Sequence, residues 1–142
     1  MCRVADDIAS PNVQAERVAC LIKTPLGVAL IGDKAGQSLR LPQQDVSSLQ
    51  NIACEAHTAA WQHTGLNVEV SRLLTVSSKG LAIYHCNFND GLAQFPHPYS
   101  LPSWTESSSA YLHQLDPFLF ENNALQNKDD LTPIRDGFVG AR

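Results

Sequence analysis

The sequence has few charged residues and no excess of basic ones. Only 17% of its 142 residues are charged, and 14 acidic side chains outnumber 10 lysines and arginines, so the net charge is -4. A protein that binds a nucleic acid polymer or an anionic membrane surface needs a basic patch to neutralise phosphates. The composition therefore predicts neither partner.

Long apolar runs are missing as well. No stretch approaches the roughly 20 apolar residues that a membrane-spanning helix needs. The N-terminus also lacks the basic segment and apolar core of a secretory signal. We therefore expect a cytoplasmic protein, with an exported or periplasmic one as the alternative if an N-terminal signal was removed. The length is that of one domain, and we expect an irregular tail over residues 1–14 and a single domain over 15–142.

Cysteine is scarce, and its spacing fits no zinc finger or CxxC motif. In a reducing compartment, Cys2, Cys20, Cys54 and Cys86 would be free thiols that pack as small hydrophobic groups, and this is what we expect. A disulfide among Cys20, Cys54 and Cys86 is the alternative in an exported protein. A zinc site of Cys54 and His57 is a weaker alternative, because no second ligand pair has metal spacing.

A helix is predicted in the middle of the chain. Ser47 is a suitable N-cap, and Gln50 stands where a capping-box side chain would reach back to the N-cap amide. Gly65 follows as a C-cap, since helices commonly end on a left-handed residue. Between these ends, apolar residues recur at helical spacing. They are Leu49, Ile52, Ala53, Ala56 and Ala60.

β-Branched and apolar runs predict strands on both sides of this helix. In chain order, the predicted strands are 17–23, 28–31, 39–41, 67–76, 81–88 and 108–113. A short helix over 117–123 is expected next. A C-terminal helix should follow Asp129 and Asp130, because acidic side chains near a helix N-terminus interact favourably with its dipole.

A long loop with prolines and aromatic residues is predicted over 91–107. Such loops are uncommon unless they pack or bind something. Tyr99 and Trp104 could cover an edge of the core, as large apolar groups usually do. Alternatively, their rings could face a ligand and stack on a base.

The stretch from Leu41 to Leu66 resembles the Nudix box of the Nudix hydrolases, which act on nucleoside diphosphates linked to another group. Thr64-Gly65-Leu66 matches the end of the box, and Leu41-Pro42 matches the residues that precede its paired glycines. Ala56 and the apolar stripe match its structural positions. The resemblance implies an α+β protein with the Nudix fold, in which a mixed β-sheet lies between the box helix and a C-terminal helix.

Other residues occupy the chemical positions of the box. The resemblance implies glutamates that hold Mg²⁺, a hard cation that prefers carboxylate oxygens. Those positions, and the arginine and glycine positions beside them, are filled by Gln43, Gln44, Gln50, Thr58, Ala59, Gln62 and His63. Glu55, one turn earlier, is the carboxylate left on that helix face and a weak candidate metal ligand. A further family glutamate falls at Ser108, unless Glu106 substitutes through a shift.

We therefore predict a Nudix-fold protein that has lost its metal-binding glutamates. It would be a catalytically weak or inactive binder of a nucleotide-like small molecule or a protein, with no catalytic residue and no cofactor. The alternative is an active hydrolase of a nucleoside diphosphate derivative with a rebuilt Mg²⁺ or Mn²⁺ site. A homodimer is a further alternative. The candidate ligand-binding residues are Gln43, Gln44, Glu55, Gln62, His63, Tyr99 and Trp104.

Overall fold

The computed structural model describes residues 2–5, 14–47, 51–88 and 91–141. Within them the chain forms strands and two α-helices, with short 3-10 turns in the connecting segments. The elements are β1 (Arg17–Thr24), β2 (Gly27–Gly32), β3 (Gln43–Asp45), α1 (Ile52–Thr64), β4 (Glu69–Val76), β5 (Leu81–Asn87), β6 (Tyr99–Ser100), β7 (Tyr111–Leu115) and α2 (Leu131–Gly140).

The strands form one mixed sheet in the order β4-β5-β1-β2-β7-β6, and β3 also pairs with β1. The β1–β5 pair is parallel, whereas the other pairs of named strands are antiparallel. Strand β1 is central, and residues 18–22 are fully buried. This burial on both faces explains why that segment is continuously apolar in sequence.

The two helices cover opposite faces of the sheet. Along β1, Val18, Cys20 and Ile22 face the core layer that contains Ala56 and Ala60 of α1. The alternate residues, Ala19 and Leu21, face the layer that contains Ile134 of α2. This alternation follows the two-residue period of a strand, and it confirms the predicted α+β architecture of a mixed sheet between two helices.

The central helix begins later than the sequence predicts. Asn51 occupies the N-cap of α1 without a side-chain capping bond. The N–H and Oγ of Ser47 instead donate to Glu55 Oε1, so the predicted cap at Ser47 is wrong. Gln50 lies outside the described residues, and the capping box predicted for it is wrong with that cap, because it required Ser47 as the N-cap. The helix end is confirmed, because Gly65 has φ 76° and its N–H donates to Trp61 O.

Three other predicted elements are displaced, two of them because local hydrogen bonds compete with the expected structure. The strand over 39–41 is reduced to isolated bridges at Leu39 and Arg40, and β3 lies after Pro42. The last strand begins at Tyr111, since a turn closed by Ala110 N–H and Ser107 O precedes it. The helix over 117–123 is instead a turn in which the side chain of Asp116 accepts from Phe118 N–H. A 3-10 turn, Asn122–Ala124, follows it.

The expectation of free thiols is wrong, since all four cysteines are in disulfides. Cys20–Cys86 joins the parallel strands β1 and β5, and Cys2–Cys54 joins the N-terminal segment to α1. Cys54 is therefore not available to zinc. Its suggested partner, His57, is buried and its Nε2 lies 2.9 Å from Asn67 Oδ1.

Residues 2–5, part of the predicted tail, lie against the outer edge of β4. Val4 forms a parallel bridge with Val70. Ala5 N–H donates to Val70 O, and Val70 N–H donates to Arg3 O, each over 2.8 Å. Neither α1 nor α2, the helices of the described ranges, combines the length and apolar character needed to cross a membrane.

Candidate functional site

The two glutamines of β3 point to opposite faces of the sheet. Gln44 Nε2 lies 3.4 Å from Glu55 Oε1 on α1. Gln43 Oε1 instead accepts from Arg17 Nη1 over 2.6 Å, and Arg17 also contacts Asp130 at the start of α2. Because side chains alternate along a strand, only Gln44 of this pair is brought to the box helix.

The carboxylate of Glu55 holds the loop that precedes α1. Its Oε1 accepts from Ser47 N–H over 2.7 Å and from Ser47 Oγ–H over 2.8 Å. The side chain is 8% exposed, so these bonds compensate for the loss of water around a buried acid. Glu55 therefore connects β3, the loop and α1 from the interior.

The positions that the sequence resemblance assigns to metal ligands differ in their surroundings. Ala59 is fully buried, whereas Gln62 is exposed and His63 is partly buried. Thr58, at the arginine position, donates its hydroxyl to Cys54 O within the helix. Of these residues, Gln62 and His63 have polar side chains that reach the surface at the C-terminal end of α1.

His63 links the end of α1 to the loop that precedes β7. Its Nδ1 lies 2.8 Å from Ser107 Oγ, and its Nε2 lies 3.4 Å from Glu106 Oε2. Since a carboxylate only accepts hydrogen bonds, we infer that Nε2 carries the proton and that Nδ1 accepts from Ser107 Oγ–H. Glu106, raised by sequence only as a shifted substitute for Ser108, is thus the acid that faces His63.

The imidazole of His63 is held in its neutral form. Burial lowers its pKa from the ordinary value of 6.5, and the positive charge of Arg40 lowers it further, while Glu106 acts in the opposite direction. The contact with Glu106 is an ion pair only when the imidazole is protonated. At neutral pH, His63 is therefore a hydrogen-bonding group beside a cation and an anion.

Two exposed tryptophans lie beside this cluster. The ring centroids of Trp61 and Trp104 are 5.1 Å apart and the planes are tilted by 42°, with the residues 40% and 57% exposed. Gly65 permits this packing, because a Cβ there would lie 3.1 Å from Trp104 Cζ2. Glu106 N–H donates to Gln62 O, so the loop that carries Trp104 is fastened to the end of α1.

Tyr99 does not join Trp104 at this surface. Its ring is partly buried and lies 4.9 Å from that of Phe95, and both rings pack against the core on the α1 side. This agrees with the alternative in which the loop aromatics cover an edge of the core. Trp104 is exposed, and its contact with a ligand stays a prediction.

The residues at the positions that the resemblance assigns to metal ligands do not fit a Mg²⁺ or Mn²⁺ site. These ions prefer several carboxylate or other hard oxygen ligands. The helix face instead presents a buried methyl group at Ala59, a neutral amide at Gln62 and an imidazole bonded to Ser107. Across the described ranges, no group of three or more His, Cys, Asp or Glu side chains could hold a metal ion.

Sequence reasoning missed Arg40, Trp61 and Ser107. Trp61 could have been found, because it is a large apolar residue outside the apolar stripe of the box helix. The other two could not, since Arg40 and Ser107 approach His63 only through the fold. The site therefore comprises Arg40, Trp61, Gln62, His63, Trp104, Glu106 and Ser107, which we call the helix-end cluster.

No protein-family model and no curated protein sequence matches the chain. Solved structures do match it. An ADP-ribose pyrophosphatase from Streptococcus suis has 12% identity and a TM-score of 0.63, over 89% of this chain and 90% of that one. A UDP-X diphosphatase has 16% identity and a TM-score of 0.57, over 89% and 63%. A NUDIX hydrolase from Nitrosomonas europaea has 12% identity and a TM-score of 0.57, over 84% and 66%.

These likenesses concern the fold rather than the activity. The chain spans less than two thirds of the length of the UDP-X diphosphatase and of the Nitrosomonas protein. The mixed sheet, the two covering helices and the glycine-terminated box helix agree with the resemblance in the sequence. The chain has the fold of the Nudix hydrolases.

Proposed function

We propose that this protein binds a nucleotide-like small molecule without the metal-dependent hydrolysis associated with its fold. One observation carries the proposal. At the end of the box helix, the positions that the resemblance assigns to metal ligands hold a buried alanine and uncharged side chains, while the tryptophan pair beside them is exposed to solvent. Two of the structurally similar proteins bear names of enzymes for nucleoside diphosphate derivatives, ADP-ribose and UDP-X.

The helix-end cluster suits the parts of such a ligand. The exposed ring of Trp104 can stack on a base, an interaction that contributes about 1–3 kcal/mol in other proteins. Arg40 supplies a positive charge near His63, and a guanidinium is well suited to a diphosphate. Gln62 offers both a donor and an acceptor for sugar hydroxyls.

The test is calorimetric titration of ADP-ribose and of UDP-glucose into the protein in the presence of a chelator. We expect binding without metal, and at least tenfold weaker binding by Trp104→Ala. Phe118→Ala is the matched control, because Phe118 is 51% exposed and lies near Phe138 of α2. Equal affinities for wild type and Trp104→Ala would show that the tryptophan pair is not the ligand site.

The alternative is an active hydrolase, which the names of the similar structures favour. Incubation of the same compounds with Mg²⁺ or Mn²⁺, followed by chromatography of the products, separates the two functions. Turnover that a chelator abolishes would overturn the proposal. Absence of both turnover and binding, with a stable dimer in light scattering, would instead support a homodimer or protein-binding role for the tryptophan surface.

We also infer an oxidising compartment, which corresponds to the exported or periplasmic alternative. Two disulfides in a chain of this size are typical of proteins outside the reducing cytoplasm. Alkylation of free thiols in acid-quenched source cells, followed by mass spectrometry, should find no labelled cysteine. Four labelled cysteines would support the cytoplasm.

A further inference from the structure

The two disulfides differ in their access to solvent. Cys20 and Cys86 are 0% and 1% exposed, between the sheet and α1. Cys2 is exposed and Cys54 is partly buried. Thiol–disulfide exchange requires a thiolate to reach a sulfur, so a reductant can approach Cys2–Cys54 in the folded protein but cannot approach Cys20–Cys86.

The exposed disulfide holds a short strap, residues 2–5, on the edge of β4. Besides the disulfide, the strap makes two backbone hydrogen bonds with Val70, a side-chain bond from Arg3 to Asn67 O, and an apolar contact through Val4. So few contacts hold a short segment weakly once the disulfide no longer links it to α1. The disulfide raises the effective concentration of the strap at β4, because it shortens the covalent connection between them.

We propose that Cys2–Cys54 is a redox latch that opens with a dithiol reductant while Cys20–Cys86 stays closed. A reductant thiolate attacks Cys2 Sγ, the disulfide breaks, and Cys54 leaves as a thiolate that takes a proton from solvent. The second thiolate of the reductant then closes a disulfide within the reductant and releases Cys2. Two electrons pass to the protein, and the reductant becomes a cyclic disulfide.

Opening the latch has two structural consequences. The strap leaves β4, so Val70 N–H and C=O lose their partners at an edge of the sheet, where unpaired backbone groups can pair with another chain. The first turns of α1 also lose their covalent tie to that edge. Since Cys54 directly precedes Glu55 on the box helix, the redox state is coupled to the helix that carries the candidate site. The latch itself does not depend on any ligand.

The test combines thiol counting with amide hydrogen exchange on the whole chain. After graded dithiothreitol treatment and alkylation, we expect a species labelled only at Cys2 and Cys54. The amide of Val70 in that species should exchange at least tenfold faster than in the oxidised protein, whereas amides of β1 should not change. Val76, an exposed residue at the far end of β4, is the internal control.

A double variant, Cys2→Ser with Cys54→Ser, should reproduce the fast exchange at Val70 without reductant. Equal reduction rates for the two disulfides would overturn the latch. So would unchanged protection of Val70 in the doubly labelled wild type, a result that does not require the variant to fold.

Discussion

Replacement of Glu55 by alanine distinguishes a structural acid from a metal ligand. In the structure, one carboxylate oxygen accepts two hydrogen bonds from Ser47. Hydrogen bonds to charged groups contribute about 1.5–3 kcal/mol each. Ser47 is exposed, so water replaces part of what it loses. We therefore expect Glu55→Ala to lower the free energy of unfolding by about 2–3 kcal/mol.

A double-mutant cycle isolates the contact between the two side chains. Ser47→Ala removes only the hydroxyl donor and should cost about 1 kcal/mol. When Glu55 is already alanine, that donor has no carboxylate to bond. The second substitution should then cost less, by a coupling energy of about 1 kcal/mol. Asp136→Ala, which removes an exposed acid on α2, is the control for loss of negative charge.

Urea unfolding followed by circular dichroism measures these free energies, with and without millimolar Mg²⁺. Two outcomes would refute a structural role for Glu55. One is a cost below about 0.5 kcal/mol, the level of an ordinary surface substitution. The other is stabilisation of the wild type by Mg²⁺ that disappears in Glu55→Ala, because a ligand stabilises only the form that binds it.

Two further predictions concern a buried histidine and a glycine. Burial, together with the charges of Arg72 and Lys23, lowers the pKa of His85 from its ordinary value of 6.5. The unfolded chain therefore takes up this proton at a higher pH than the folded protein does. The free energy of unfolding should fall as the pH drops below 6.5, by at most about 1.4 kcal/mol per pH unit. Urea unfolding at several pH values should show that the free energy of unfolding falls less with pH in His85→Asn than in the wild type. An equal fall in the two proteins would contradict this. Gly27 has φ 137°, and a Cβ there would lie 2.2 Å from the carbonyl of Leu115, so Gly27→Ala should cost more than about 3 kcal/mol. Thermal unfolding should give a lower melting temperature for Gly27→Ala than for the control Gly140→Ala, where the nearest atom to an added Cβ lies at 3.8 Å. Equal melting temperatures of the two variants would refute the prediction.

The features predicted well from sequence are those set by local chemistry. The apolar runs of β1, β2 and β5 and the glycine that ends α1 need only neighbouring residues to be recognised. The displaced features depend on distant partners or on competing local bonds. Ser47 bonds a side chain eight residues away instead of the helix N-terminus, and Asp116 closes a turn where a helix was expected.

The disulfides show the same limit more strongly. Cys20 and Cys86 meet because β1 and β5 run parallel with Ile22 opposite Cys86, a register that no spacing in the sequence reveals. In the candidate site, the box pattern placed Gln62 and His63 on one face of the helix, and their role in ligand binding stays a prediction. It could not place Arg40 or Ser107, and it could not show that Gln43 faces Arg17 on the other side of the sheet.

In the box helix, the positions required for packing and backbone geometry can be considered apart from those that the resemblance assigns to metal binding. Ala56, Ala60 and Gly65 satisfy packing and backbone demands, and these hold whatever reaction the protein performs. The positions that the resemblance assigns to metal ligands serve packing and hydrogen bonding in this chain. Ala59 is fully buried, so a glutamate there would lose its water without gaining a partner. His63 is held by Ser107 and faces Glu106. A metal site at these positions would therefore require the loop over 102–107 to move as well as new carboxylates, because that loop packs against the end of the helix.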